Sequence, residues 1–564
     1  MQTHTSLRFQ ETLRGHFSAA LKNHDAPALS LAKSGLDRSP LELTVTVEGG
    51  DLEGALANPG RPFRLSGTAQ AASLSPAPLT AEGELILWVR DSARVDASRM
   101  TYRLNLKSDD GRNFFFDGFK EMRESLATRL WPQMTTLYFT LYEGGLAEGE
   151  VVGRGILRAA PDDFVRELAS FEISGADASR RFEFAARFGR LFAGKLWDTY
   201  GGPLAPAQYL RSDAPPREKR ALRTPAPEVH YFNTADEVEL RLLRYRGGNK
   251  GPVILTHGIG VSSLIFRIDT VETNLVEYLA ARGFDVWALD YRGSIELAAH
   301  NLQFTGDDVA AFDYPAAVEQ VRALTGAPSV QMVVHCFGSV SFFMAMLRGL
   351  KGVRSAVSSQ VATHLVTAPL TELKCGLYVP EALEAAGIRF LDAYINDAAA
   401  WEGKLAEVAM RLYPAPETQL CTSPVCHRIL FMYSQVFQHE QLNAPTHDAL
   451  GEMFGATNIR AFEHLARMVR AGHIVTANGD NSYLPHLERL AIPIAFVAGA
   501  KNRCFLPESS ERTYQMLCEK NGRQLYTRTV VPEYGHADSI LGKNAARDVY
   551  PAIARHLEAT STCG

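Results

Sequence analysis

Residues 330–340 read VQMVVHCFGSV, and the fold of the second half of the chain turns on this stretch. The apolar run 330–334 is of buried-strand type, and residues 339–347 (SVSFFMAML) continue with helical spacing. Between them, His335-Cys336-Phe337-Gly338 leaves room only for a tight turn with Cys336 at its apex. A thiol there sits at a helix N-terminus, where unpaired N–H groups and the helix dipole favour a thiolate. The N–H of Phe337 would face an oxyanion developing on a substrate carbonyl. Gly338 lets the helix pass close to the strand. A lone Cys is most often a buried packing residue; the strand–turn–helix context favours a nucleophile.

Three further segments fit the same architecture. After the strand 253–255, Thr256-His257-Gly258-Ile259-Gly260 forms a glycine turn that would supply a second oxyanion N–H, from Ile259. After the last strand, Tyr534-Gly535-His536-Ala537-Asp538 places His536 where a general base belongs. The strand 493–498 leads through Gly499 to Asn502, the slot that normally holds a carboxylate. Together these segments resemble the pattern of α/β-hydrolases, with Cys336 in place of the Ser of G-x-S-x-G and Val334 in place of its first Gly. The order nucleophile, third member, His is kept. A Cys-His-Asn site tolerates the neutral third residue, because an Asn oxygen can orient the imidazole by accepting its N–H. Asp538 and Asp480 remain alternatives for that role.

The expected architecture is α/β: a doubly wound parallel sheet with a helical lid, preceded by a mainly β domain of sandwich or barrel type. In the first part, residues 41–48, 63–69, 84–89, 100–106, 135–141 and 151–157 alternate as strands, and 102–116 reads as a hairpin around Asp-Gly. Residues 162–171 and 180–196 have helical spacing. Six Pro punctuate residues 200–227, so the domains are read as 1–225 and 226–564. Strands follow at 229–232, 239–245, 253–256, 286–289, 330–334, 355–361, 494–498 and 526–531. The insertion at about 363–480 shows no strand signal and reads as the lid.

The chain has 564 residues, 46% hydrophobic and 21% charged, with a formal net charge of −5. Such a length calls for more than one domain, and the charge gives no basic surface for nucleic acid. No run is long and apolar enough to span a membrane, and the N-terminal residues lack a signal-peptide core. Seven Cys in this length fit free thiols and a cytoplasmic setting. Cys421, Cys426 and His427 suggest half a zinc site, with His439 and His447 as further candidates. With no second Cys pair nearby they are expected to be ordinary loop residues, so no metal is expected.

The motifs 256–265 (THGIGVSSLI), 305–315 (TGDDVAAFDYP), 335–339 (HCFGS), 421–428 (CTSPVCHR), 483–490 (YLPHLERL) and 534–538 (YGHAD) carry a closer likeness. Together with Gly118-Phe119-Lys120 and Leu196-Trp197-Asp198, they resemble the hydrolase module and preceding domain found with GMC-type, cholesterol-oxidase-like oxidoreductases. The resemblance implies Cys336, His536 and Asn502 at the triad positions and a separate GMC oxidoreductase as partner. There is no Gly-x-Gly-x-x-Gly after an N-terminal strand, so neither FAD nor another cofactor is expected. The expected activity is hydrolysis of an ester, lactone or thioester of a lipophilic acyl or sterol-like compound through an acyl-cysteine. Acyl transfer through the same intermediate, and a non-catalytic docking role beside the oxidoreductase, are the alternatives.

Overall fold

In the computed structural model the described residues are 6–19, 39–49, 62–90, 95, 97–123, 135–145, 147, 149–159, 172–174, 217–376, 380–381, 384, 389–393, 419, 421 and 423–561. The helices expected at 162–171 and 180–196 lie outside them. The chain divides into two compact units, residues 1–91 with 96–206 and residues 92–95 with 207–564.

The first unit is an antiparallel barrel of eight strands: β1 (Ser6–Ser18), β2 (Ser39–Gly49), β3 (Phe63–Gln70), β4 (Leu79–Arg90), β5 (Ala97–Lys107), β6 (Asn113–Arg123), β7 (Thr136–Glu143) and β8 (Val151–Arg158). Each pairs with the next, and β1 closes the ring by pairing with both β2 and β8. A short β9 (Glu172–Ser174) adds to the outer end of β1. Period-2 alternation explains the interior: Leu41, Leu43, Val45 and Val47 are buried while Glu42, Thr44 and Thr46 are not. At the closure Gly15 faces Leu157, and a Cβ on Gly15 would meet the Ile156 carbonyl oxygen at 1.9 Å.

One interior position of β1 is a carboxylate. Glu11 is buried among apolar neighbours, accepts a 2.8 Å hydrogen bond from the Tyr102 hydroxyl, and forms an ion pair with buried Lys120. Removing one partner of a buried ion pair strands the other charge. Lys120→Met should therefore destabilise the barrel by about 3–5 kcal/mol, and Glu11→Gln in the same chain should recover much of that loss. Thermal unfolding of the single and double variants checks this.

The second unit is built on an eight-stranded sheet. Its strands are β10 (Glu228–Asn233), β11 (Glu239–Tyr245), β12 (Pro252–Thr256), β13 (Asp285–Asp290), β14 (Val330–His335), β15 (Val353–Ser359), β18 (Ile494–Gly499) and β19 (Tyr526–Val531). Their spatial order is β10-β11-β13-β12-β14-β15-β18-β19. The β10–β11 and β11–β13 pairs are antiparallel and the remaining pairs parallel. Strands β12, β13, β14 and β18 are buried throughout, which is why they read as continuous apolar runs rather than as alternation. The parallel register brings the C-terminal ends of β12, β14, β18 and β19 to one edge, where loops meet beyond the strands.

The insertion differs from its expected all-helical character. Two three-residue strands, β16 (Phe390–Asp392) and β17 (Ala456–Asn458), pair antiparallel within it. Three residues are too few to show a period in sequence. A further expectation shifts at β15, which ends at Ser359, short of Val361.

Candidate active site

Strand β14 ends at His335, and a helix of 12 residues runs from Phe337 to Arg348. Cys336 alone joins them, in a backbone conformation of φ 57° and ψ −128°. L-residues rarely adopt a positive φ, and holding one there costs on the order of 1–3 kcal/mol. The surroundings hold it in place: Ser339 and Val340 N–H groups both bond to the Cys336 carbonyl, and the Cys336 N–H bonds to the Ser359 carbonyl at 3.2 Å. Cys336 is half-buried whereas residues 337–347 are all buried. The apex is thus the one accessible point on an otherwise sealed turn.

Two glycines permit this approach. A Cβ on Gly258 would meet the Cys336 Cβ at 2.8 Å and its Sγ at 3.1 Å. A Cβ on Gly338 would meet the His257 carbonyl oxygen at 2.3 Å. The turn after β12 therefore lies directly against the elbow. His257 is buried, its Nδ1 2.7 Å from the Gly258 carbonyl, and its ring stacks on Tyr291 at 4.5 Å. The Tyr291 hydroxyl donates to that same carbonyl at 2.8 Å. Gly260 has a φ of 68°, and Tyr433 from the insertion crowds its open side.

The N–H groups of Phe337 and Ile259 pull the Cys336 pKa down, but burial outweighs them and pushes the thiol up to about 11. The thiolate-favouring environment expected from the helix N-terminus is therefore outweighed by desolvation. His536 is buried 34 residues beyond Asn502, its ring 4.9 Å from that of His335 and 5.8 Å from Phe505. Burial lowers its pKa to about 3. With the thiol near 11 and the imidazole near 3, both side chains are neutral at pH 7. His335 is also held neutral, by burial and by the neighbouring His536, with Nδ1 3.0 Å from the Ser359 hydroxyl.

Asn502 does reach His536, but with the opposite end from the one expected. Its Oδ1 accepts the Cys504 and Phe505 N–H groups at 3.0 and 3.1 Å, and its Nδ2 lies 3.1 Å from His536 Nδ1. The same Nδ2 donates to Gln360 Oε1 at 2.9 Å, and that oxygen also accepts the Gly499 N–H at 3.0 Å. Three backbone N–H groups cannot exchange roles, so they fix which end of each amide is which. Asn502 must donate, His536 Nδ1 must accept, and the imidazole proton rests on Nε2, which is buried and has no hydrogen-bond partner among the described residues. An Asn oxygen holding the imidazole N–H is thus replaced by an Asn N–H holding the imidazole lone pair.

The other carboxylates do not take that place. Asp538 accepts the Gly535 and Gln438 N–H groups at 2.9 and 3.2 Å, and burial raises its pKa to about 7. Asp480 is exposed and bonds within its own turn through Thr476. Gln360 is the site residue that sequence reading misses: it is buried at a φ of 80° just beyond β15, and its Nε2 donates to Ser539 at 2.7 Å. No motif surrounds it. Its only sequence signal is a polar residue directly after a buried strand.

With this geometry in view, the comparisons fall into place. The family model described as alpha/beta hydrolase fold matches residues 251–543, just over half of the chain. The chain belongs to the α/β-hydrolase fold family. Lipase member K of Mus musculus is 22% identical over 334 residues, covering 55% of this hydrolase and 80% of the lipase. Gastric triacylglycerol lipase of Rattus norvegicus is 23% identical over 339 residues, covering 54% and 79%. Lipase 1 of Drosophila melanogaster is 27% identical over 178 residues, and the hydrolase spans only 38% of that protein's length. Among solved structures, an esterase of Pyrococcus furiosus matches 63% of this chain with all of its own at 14% identity and a TM-score of 0.34.

The protonated state of Cys336 has a direct readout. Alkylation of Cys336 by iodoacetamide should rise about tenfold per pH unit from pH 7 towards pH 10, because only the thiolate reacts and its pKa is about 11. A rate already flat at neutral pH would reveal a resting thiolate and contradict the desolvated site.

Proposed function

We propose that this α/β-hydrolase cleaves esters or thioesters through an acyl-cysteine on Cys336. The observation that carries the reading is the convergence of the Phe337 and Ile259 N–H groups on the sulfur of a strained, accessible residue between strand and helix. Those two donors would pass from the sulfur to the carbonyl oxygen as the tetrahedral intermediate forms. Sγ forms a bond to the acyl carbon, the alcohol or thiol departs, and water then releases the acid.

His536 is the proton carrier in this proposal. Taking the thiol proton on Nε2 requires the tautomer protonated on Nδ1, in which the Asn502 N–H opposes the ring. The base therefore works only after that contact loosens, which slows acylation at rest. The curated relatives named as lipases, and the apolar side chains of Ile259 and Phe505 beside the catalytic groups, support a lipophilic acyl substrate. Acyl transfer to an acceptor other than water uses the same intermediate. The reversed Asn502 contact favours a second reading, a docking module that keeps the elbow without turnover. The resemblance to modules found with GMC-type oxidoreductases supplies the partner for that reading.

A panel of aryl, alkyl and thiol esters of increasing chain length separates the two readings. The wild-type chain should hydrolyse some of them, and Cys336→Ala should lower kcat/KM by at least about 10³-fold. Wild-type protein inert on the whole panel, or Cys336→Ala as active as wild type, contradicts the acyl-cysteine reading.

A further inference from the structure

Four side chains in the insertion meet where the sequence suggested only loop residues. Cys421, Cys426, His439 and His447 are all buried, and one ligand atom from each lies within 4.8 Å of all the others. The Cys426 sulfur is 3.4 Å from His439 Nε2, and the rings of His439 and His447 are 5.0 Å apart. Ideal tetrahedral zinc with two thiolates and two imidazoles has ligand–ligand edges of about 3.3–3.8 Å. The cluster thus closes on an ion by movements of about an ångström.

We propose that these four residues bind one structural Zn²⁺. The donor set is the Cys₂His₂ set of closed zinc sites, with no position left for water. Binding exchanges two thiol protons to solvent for one Zn²⁺, so two thiolates and a dication give an electroneutral centre suited to a buried site. Burial otherwise holds the Cys421 thiol protonated, with its pKa far above the ordinary value. The ligands are carried on ordered elements. Cys426 lies in the helix Pro424–Tyr433, whose N-cap Ser423 accepts the Cys426 N–H. His447 lies in the short helix Ala444–Asp448, capped by Asn443. Around them, His427 Nε2 meets the Cys421 carbonyl at 2.7 Å and the His439 N–H donates to Gln419 at 3.1 Å. A small cleft lined by Gln419, Cys426, Ile429, Val436, Phe437 and His439 borders the cluster.

Sequence reading named all four residues as candidates but expected no metal, because no second Cys pair stands nearby. The two Cys stand five positions apart, but the two His lie eight apart on separate elements rather than on one helix. Only the fold of residues 419–448 brings them together.

The centre also bears on the catalytic loop. Residues 436–438 lie between the ligands Cys426 and His439. The Val436 carbonyl accepts the N–H groups of both His536 and Ala537, at 3.1 and 2.6 Å. The Gln438 N–H donates to Asp538 at 3.2 Å, and its side-chain amide donates to the Lys501 carbonyl at 3.2 Å. Zinc would therefore fix the segment from which the His536 loop hangs, as a positioning centre with no part in the chemistry.

The full-length chain, expressed with zinc in the medium and dialysed, should hold one zinc per chain by elemental mass spectrometry. Exchange with Co²⁺ should give tetrahedral d–d bands and a thiolate charge-transfer band. Cys426→Ser and His447→Gln should each lose the metal. Should those variants fail to fold, titration of wild-type thiols with a mercurial should still release one zinc into a chromogenic chelator. No retained zinc together with no Co²⁺ bands, or a Cys421–Cys426 disulfide in the peptide map, overturns the site. None of these readouts depends on ester hydrolysis, so failure of the acyl-cysteine reading would leave the zinc test intact.

Discussion

The second unit is organised by one backbone constraint: Cys336 must stand at a positive φ between β14 and the helix that follows it. A single residue turns the chain from strand to helix, so the helix has to cross the strand ends at close range. Gly338 is needed because its Cβ would run into the His257 carbonyl, and Gly258 because its Cβ would run into Cys336. The glycine turn after β12 and the elbow after β14 are consequently one packed object, held by the parallel β12–β14 pairing beneath them. Buried residues flanking the apex leave the strained conformation nowhere to relax.

The same closeness that packs the glycine turn against the elbow buries the thiol, and desolvation then outweighs the Phe337 and Ile259 N–H groups. The Phe337 and Ile259 N–H groups favour the thiolate, yet the thiol stays protonated and His536 stays neutral. Backbone donors also dictate the polarity of the third member. Cys504, Phe505 and Gly499 between them orient Asn502 and Gln360, and through Asn502 they set the tautomer of His536. A carboxylate in the same slot would have no N–H to give and would face the Gln360 oxygen acceptor to acceptor. The Asn–Gln pair is therefore a coupled solution, in which neither residue is independent of the other.

Much of this was legible in the sequence because it rests on local rules. Continuous apolar runs mark β12, β13, β14 and β18, alternation marks the barrel strands, and the turn residues mark Cys336, Ile259 and His536. What escaped depends on contacts between distant segments. Strand β1 has the barrel alternation, but Glu11 occupies an interior position and breaks the apolar pattern; its partners Tyr102 and Lys120 are about a hundred residues away. Gln360 carries no motif, since its role is set by the backbone of Gly499. The atom that Asn502 turns to His536 is likewise fixed by N–H groups two and three residues downstream, not by the identity of residue 502. The Cys₂His₂ cluster needs four elements of the insertion folded together before it exists.

The proposed chemistry meets at one atom, the Cys336 sulfur, with His536, whose tautomer is set by Asn502, as its proposed proton acceptor. The measurement that bears on it most directly is intact-protein mass spectrometry during turnover of an activated acyl ester, followed by peptide mapping. The account predicts a mass increase equal to one acyl group, located on Cys336 and absent in Cys336→Ala. Substrate consumption without any adduct, or an adduct on another residue, would contradict it.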